Sequence, residues 1–224
     1  MTDIKERPIL FSAPMVRAIL EGRKTVTRRP VKGGQIPTEN PAEEGRHRWS
    51  AIAQRDPRYG FCVFGLTEAE CAKELAEFAP CPYGKPGERL WVRETTAEDC
   101  RGSISTATYT ADGAPSNLEW WYSRRSCPSI HMPRVACRIL LEITDVRAER
   151  LQDITPAQVT AEGVSTRGEA LWGGEWWVDA PDQAIEDARK DFADLWTLTG
   201  GDWSSNPWVW VVEFKRVTPC SSPP

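Results

Sequence analysis

The residues best suited to chemistry lie in one short stretch, Glu21 to Pro30, which reads EGRKTVTRRP. It concentrates four cationic side chains around two threonines, although the whole chain has a formal charge of -4. Such a local cluster in an acidic protein indicates a site, because charge needed only for solubility would not concentrate here. The alternative is a solvated basic turn, since charge runs usually mark exposed faces.

A lysine and a threonine in this cluster are suited to acyl-transfer chemistry. If Lys24 is buried among other cations, its pKa is lowered, because burial and like charge both disfavour the ammonium, and the uncharged amine is a general base. Thr27 would then be the nucleophile, activated beside an amine. The two residues are three positions apart, so they converge only if Lys24 still lies in the turn after Gly22 rather than in a strand.

A third candidate, Glu162, lies at the end of a strongly signalled helix. Thr155 is its N-cap, Pro156 follows at the first position, and Gln158 completes a capping box. The helix dipole disfavours a carboxylate in the last turn by a few tenths to about 1 kcal/mol, so Glu162 needs a nearby cation or a chemical role unless it is a solvated surface residue. It could orient Lys24 or carry a proton to a leaving amine.

Hydrophobic patterns and turn residues indicate the elements that position these groups. We expect a helix between Ser12 and Gly22, a strand from Thr25 to Arg29, further strands near 87–94, 106–110, 133–146 and 208–217, and an amphipathic helix over 181–199. This arrangement predicts an α+β fold built on a small, mostly antiparallel β-barrel with surrounding helices. We predict one domain over residues 1–218, with insertions at about 31–86, 112–128 and 165–180 and a disordered tail at 219–224. The first insertion is interpreted as a decorated loop with one helix beginning at Thr67.

The composition narrows the class of partner. With 28 Lys and Arg against 32 Asp and Glu, and a pI near 5.4, the chain is poorly suited to bind a polyanion, so a small ligand or single nucleotide fits better. The seven cysteines form no C-x-x-C pair, and we favour reduced structural thiols over a metal site of His47 with Cys62, Cys71 and Cys81. We therefore predict neither metal nor cofactor. No signal peptide or membrane span is visible, which predicts a cytoplasmic protein.

Several blocks together carry a family resemblance: GRKTVTRR, GERLWVRE, MPRVACRILLEITDV before a capped helix, and NPWVWVVEF. They resemble the ASCH family of the PUA-like superfamily and, in length and Trp-rich insertions, its larger members from phages and prophages. The family signature G-x-K-x-x-E-x-R is met by Gly22, Lys24 and Arg29, but Thr27 stands at the glutamate position.

Small bacterial ASCH amidohydrolases that deacetylate 4-acetylcytidine resemble this chain at the position of Thr27, because they too have threonine in place of the signature glutamate. They also place a catalytic glutamate seven residues after a helix-starting threonine, which here leads from Thr155 to Glu162. Their C-terminal strand is similar to Val209 through Lys215. The resemblance implies a PUA-like barrel and a triad of Lys24 as base, Thr27 as nucleophile and Glu162 as acid and base.

The resulting hypothesis is an amidohydrolase acting on an N-acylated cytosine nucleoside or base. It assigns substrate contacts to five cationic and aromatic residues, namely Arg23, Arg29, Trp91, Arg93 and Tyr109. One alternative is a non-catalytic module that binds RNA or a modified nucleobase, as PUA-like folds commonly do, and another is a ribonuclease. The acidic total argues modestly against both polymer partners.

Overall fold

The computed structural model describes residues 4–32, 35–53, 61–79, 81–101, 103–165, 177–178 and 181–217. The described helices are α1 (Ala13–Leu20), α2 (Glu68–Phe78), α3 (Pro156–Ala161) and α4 (Asp182–Leu198). The described strands are β1 (Glu6–Leu10), β2 (Val26–Pro30), β3 (Thr38–Glu39), β4 (Trp49–Ile52), β5 (Cys62–Gly65), β6 (Arg89–Arg93), β7 (Thr96–Asp99), β8 (Thr106–Tyr109), β9 (Pro115–Glu119), β10 (Ser126–Cys127), β11 (Leu140–Arg150) and β12 (Trp208–Val217).

A five-stranded sheet forms the centre of the fold, with the strand order β1-β6-β11-β12-β2. All of its pairings are antiparallel except the one between β1 and β6. The longest pairing runs from Leu140 opposite Val217 to Arg150 opposite Trp208, and the connection between these strands carries α3 and α4. Both predicted helices of this connection therefore form next to the sheet that they cover.

Each face of the central sheet has its own apolar core, because successive side chains of a strand point to opposite faces. Val212 on β12 belongs to one core, which includes residues of α1, β1, β6 and β11. The preceding Val211 belongs to the other, which joins β2 and β12 to α3 and α4. Five consecutive residues at the start of β12 are buried as a result.

The central sheet ends at β1 on one side and at β2 on the other, so the strand pairings of the described residues do not close the predicted barrel. The two edges nevertheless approach each other. Arg29 on β2 donates a hydrogen bond from Nη2 to the carbonyl oxygen of Leu10 on β1, at 2.7 Å. A side chain, rather than a backbone ladder, spans the gap between the edges. The fold is thus mixed α+β with mostly antiparallel sheets.

The region predicted as a decorated loop, residues 31–86, contains more structure than its sequence indicated. The strands β3, β4 and β5 form an antiparallel sheet, and α2 begins at the predicted N-cap, where Thr67 accepts a hydrogen bond from the Glu70 amide. Leu75 of α2 is fully buried in the core that also contains α1. These strands are only two to four residues long and lack a long alternating pattern, which explains why the sequence did not reveal them.

Of the other two predicted insertions, the structure describes residues 112–128 but only a small part of residues 165–180. Within residues 112–128, β9 and β10 form the ends of a second sheet ordered β10-β7-β8-β9. Most of residues 165–180 and the whole of the predicted tail 219–224 lie outside the described residues. Among the described residues, no helix is long and apolar enough to cross a membrane.

The predicted strand at 133–146 is the clearest error of secondary structure. Residues Arg134–Ala136 form a short 3-10 helix, and β11 begins at Leu140 and continues to Arg150. Val135, which lies within the predicted strand, is exposed. The second half of β11 is polar and was not apparent as a strand, because the pairing partner β12 supplies the apolar residues there.

A buried ion network connects the central sheet to the second sheet. Glu94, directly after β6, accepts two hydrogen bonds of 2.8 Å from Nε and Nη2 of Arg138. Arg138 also pairs with Asp112, 2.8 Å away in the turn after β8. Only 2 % of the Glu94 side chain is exposed, so Arg138 provides a counter-charge to a buried carboxylate.

We predict that Arg138→Met lowers the free energy of unfolding by about 3 kcal/mol, because it leaves the buried Glu94 carboxylate without a counter-charge. Urea denaturation followed by tryptophan fluorescence measures this change. The matched control is Arg101→Met, which removes an exposed pair with Asp99 and should leave the urea midpoint close to that of the wild type. Equal effects of the two substitutions would contradict the assignment.

Candidate functional site

A tight turn places Lys24 outside the strand that follows it. Gly22 ends α1 with a φ of 79°, a backbone conformation that glycine adopts without steric cost. The amides of Arg23 and Lys24 then both donate to the carbonyl oxygen of Ala18, at 2.9 and 3.0 Å. Because β2 begins only at Val26, strand alternation does not separate the side chains of Lys24 and Thr27.

The C-terminal end of α3 packs directly against this turn. Lys24 and Glu162 form an isolated antiparallel bridge, and the Thr25 amide donates to the Ala161 carbonyl oxygen at 2.8 Å. Gly163 has a φ of 81°, and a Cβ atom there would lie 2.8 Å from the Ala18 Cβ. A glycine is therefore needed where the two segments meet, both for its backbone conformation and for the close approach.

Glu162 holds two cations with its carboxylate. Lys24 Nζ donates to Glu162 Oε2 at 2.5 Å and to the Glu162 carbonyl oxygen at 2.8 Å. Arg28 Nη1 donates to the other carboxylate oxygen, Oε1, at 3.2 Å. The exposed fractions of the side chains are 0 % for Lys24 and 4 % for Glu162. These contacts supply the nearby cations that the position of Glu162 at a helix end requires.

The surroundings of Lys24 shift the pKa of its amine in opposite directions, and the net shift is downward. Burial lowers the pKa of the Lys24 amine below its ordinary value, Glu162 opposes this shift, and the neighbouring Arg29 and Arg28 add to it. An uncharged amine has two N–H groups and one lone pair, and the two hydrogen bonds to Glu162 account for both N–H groups. In that form of Lys24 the lone pair would be the proton acceptor.

Glu162 and Thr27 both line one cavity of about 250 Å³. It lies at the edge of the central sheet, between α4 and the start of α1. The lining residues are Leu10, Ser12, Met15, Thr27, Arg28, Arg29, Pro30, Glu162, Phe192, Leu195, Trp196, Thr199, Gly200 and Gly201. Lys24 is absent from this lining and lies behind it. The structure thus brings Lys24 and Glu162 into direct contact, and Thr27 shares a cavity with Glu162.

The two arginines predicted to bind substrate have different positions. Arg29 lines the cavity, and its guanidinium lies 5.4 Å from the ring centroid of Phe11. Arg23 lies outside that lining and pairs with Glu21, with Nε 2.8 Å from Oε2. Its Nη1 donates to the Gly163 carbonyl oxygen at 3.1 Å, so Arg23 supports the turn.

The other three predicted substrate contacts, Trp91, Arg93 and Tyr109, are not among the residues that line this cavity. Trp91 and Arg93 lie on β6, which pairs with β1, and Tyr109 lies on β8 of the second sheet. Arg93 covers the Trp91 ring at 5.2 Å and donates to the Met132 carbonyl oxygen at 3.3 Å. Tyr109 is buried and donates from its hydroxyl to the Ala136 carbonyl oxygen at 2.8 Å.

Sequence reasoning missed the second cation on Glu162 and the aromatic wall of the cavity. Arg28 has a fully buried side chain that also pairs with Glu149 at 3.5 Å, and its guanidinium lies 5.9 Å from the Phe192 ring. Phe192 and Trp196 come from α4, whose amphipathic pattern predicted their burial. That pattern carries no information about which sheet edge the helix covers.

No group of three or more His, Cys, Asp and Glu side chains arranged to hold a metal ion occurs within the described part of the chain. Comparison with protein-family models, with curated proteins and with solved structures found no match to this chain.

The lowered pKa of Lys24 has a consequence for stability. The unfolded chain binds this proton with the ordinary pKa of 10.5, whereas the folded chain binds it with a lower pKa. Between these two values the unfolded state carries more protons, so this contribution to stability increases as the pH rises and is lost as the pH falls.

We therefore predict that the difference in unfolding free energy between the wild type and Lys24→Met increases with pH, by at most about 1.4 kcal/mol per pH unit. Urea denaturation at several pH values up to about 10 measures it, and titrating groups that do not contact Lys24 cancel in the difference. A flat or decreasing difference would show that Lys24 stays charged in the folded protein.

Proposed function

We propose that this protein is an amidohydrolase that removes the acyl group from an N-acylated cytosine nucleoside or base of the 4-acetylcytidine type. The observation that carries the proposal is the buried Lys24–Glu162 pair at 2.5 Å, placed behind a cavity that Thr27 and Glu162 line. The resemblance of the Gly22–Arg29 stretch to the ASCH amidohydrolases supports the same assignment. On this proposal, the central sheet and its approaching edges correspond to a PUA-like barrel.

The reaction requires one nucleophile and one proton carrier. Thr27 Oγ1 attacks the acyl carbonyl carbon while its proton passes to the uncharged Lys24 amine. The tetrahedral intermediate then collapses, the C–N bond breaks, and the leaving amino nitrogen takes the proton with Glu162 as the relay. Water next hydrolyses the acyl-threonine ester, which releases the carboxylic acid and restores Thr27. The sum is one amide and one water converted to one acid and one amine.

Two arginines are positioned to stabilise the developing negative charge. Arg28 and Arg29 both line the cavity, and preformed cationic donors at an oxyanion contribute to catalysis because they need no reorganisation. Phe192 and Trp196 supply an apolar wall on the other side. The cavity of about 250 Å³ is smaller than the roughly 300–1,000 Å³ typical of pockets for drug-sized ligands. A cavity of this size suits a single base or nucleoside.

One observation favours a second candidate function, a non-catalytic module that binds a modified nucleobase or RNA. The Lys24 side chain has no exposed surface and does not line the cavity. In this second function, Lys24 has a structural role and holds α3 against the turn. The cavity is then a binding site without catalysis.

Turnover of 4-acetylcytidine separates the two functions. We expect release of acetate by the wild type, and a loss of at least about 100-fold in kcat for Lys24→Met, because removal of a general base typically costs 10²–10⁴-fold. Thr27→Val, which keeps the side-chain shape but removes the nucleophile, should abolish turnover. Chromatography of the nucleoside products in the presence of a chelator measures both, and Arg101→Met serves as the control that retains activity.

Absence of turnover across a panel of acyl groups, from formyl to butyryl, would rule out the amidohydrolase. Binding of cytidine or RNA that persists in Lys24→Met would then support the binding module. Affinity for RNA would also decrease steeply with salt, because phosphate contacts release counterions.

A further inference from the structure

The cavity approaches β2 from its edge rather than from one of its faces. Four consecutive residues, Thr27 through Pro30, line it. Side chains of a strand alternate between the two faces, so four consecutive residues cannot all reach one cavity by pointing the same way. What they share is the backbone edge of β2, which is the last strand of the central sheet.

The register of β2 with β12 identifies which backbone groups lie on that free edge. Phe214 donates to the Thr25 carbonyl oxygen at 2.8 Å, and Val31 donates to the Trp208 carbonyl oxygen at 2.9 Å. Hydrogen-bonded and non-hydrogen-bonded pairs alternate along an antiparallel ladder. Arg28, opposite Val211, is therefore in a non-hydrogen-bonded pair, and its N–H and C=O both point away from β12.

Side-chain donors around the same cavity also lack acceptors. Among the described residues, the buried Nε atoms of Arg28 and Arg29 and the Nε1 atom of Trp196 have no hydrogen-bond partner. All three residues line the cavity. Buried polar groups in proteins are nearly always paired, so these donors indicate a ligand rich in acceptors.

We propose that the free edge of β2 recognises the pairing edge of a cytosine ring through the backbone of Arg28. The Arg28 N–H donates to ring nitrogen N3, and the Arg28 C=O accepts from the N–H of the exocyclic amino group. The remaining donors bind the O2 and acyl oxygens. This inference rests on the proposed function and names the group through which the substrate is selected.

The arrangement explains how an acyl group on the amino nitrogen is presented for attack. An acylated amino nitrogen keeps one N–H, which is the donor that the Arg28 carbonyl requires. Thr27, the proposed nucleophile, directly precedes Arg28. Uracil has the reverse pattern, with a donor at N3 and an acceptor at position 4, so it places like groups against both backbone atoms.

Binding of unreactive nucleosides to the wild-type protein tests the inference without any turnover. Calorimetric titration should show that cytidine and N4-methylcytidine bind at least about tenfold more tightly than uridine, 3-methylcytidine or N4,N4-dimethylcytidine, since an unpaired buried group costs about 1–3 kcal/mol. Equal affinity across the five nucleosides would overturn the inference.

A second measurement locates the contact on the backbone. In a ¹⁵N-labelled sample, cytidine should shift the Arg28 amide resonance and slow its hydrogen exchange. The Arg29 amide is the internal control, because it faces β12 in the ladder. An Arg28 amide unchanged at saturating cytidine would refute the edge contact.

The two proposals fail in different ways. If cytidine binds with the expected selectivity but 4-acetylcytidine is not hydrolysed, the hydrolase is wrong and the recognition edge stands. If 4-acetylcytidine is hydrolysed while uridine binds as well as cytidine, the recognition edge is wrong and the hydrolase stands. If no nucleoside binds and none is hydrolysed, both are overturned.

Discussion

The Glu162 carboxylate, shared between the buried side chains of Lys24 and Arg28, is the interaction on which the site depends. Removing three ionisable groups from water is costly unless their charges and hydrogen bonds are satisfied together. Arg28 also has Glu149 as a counter-charge, whereas burial lowers the pKa of Lys24 and its contact with Glu162 opposes that shift. The same contact fixes the end of α3 against the turn after α1, so the position of the helix and the protonation of the lysine are linked.

An edge strand is ordinarily a liability, because its unpaired backbone groups can bind another chain. β2 is covered on one side by α4 and approached on the other by the end of β1, where Arg29 reaches the Leu10 carbonyl oxygen. The cavity occupies what remains of the edge. It lies there because the two edges of the central sheet come close but do not join.

The sequence predicted those features that depend on neighbouring residues. The turn at Gly22, the capping box of α3, the amphipathic α4 and the bounds of β12 are all local patterns, and the structure confirms them. The contact between Lys24 and Glu162 was implied by the family resemblance. No local sequence pattern predicts a contact between residues so far apart in the chain. Strand order is not a local property, so the sequence could not show that the cavity lies where β1 and β2 approach each other, or that Trp91 does not line it. The role of Arg28 was hidden for the same reason, since it requires α3 and α4 on one face of β2.

The close packing of Gly163 against Ala18 links two positions that are far apart in sequence. Even a methyl group at position 163 would lie 2.8 Å from the Ala18 Cβ, so a larger side chain at either position pushes apart the two segments that carry Lys24 and Glu162. In related proteins that keep this pair, small residues should therefore occupy both positions, and enlargement of either one should be accompanied by loss of the lysine. Divergence of the site is in this way limited by steric contacts outside the cavity, as well as by the chemistry inside it.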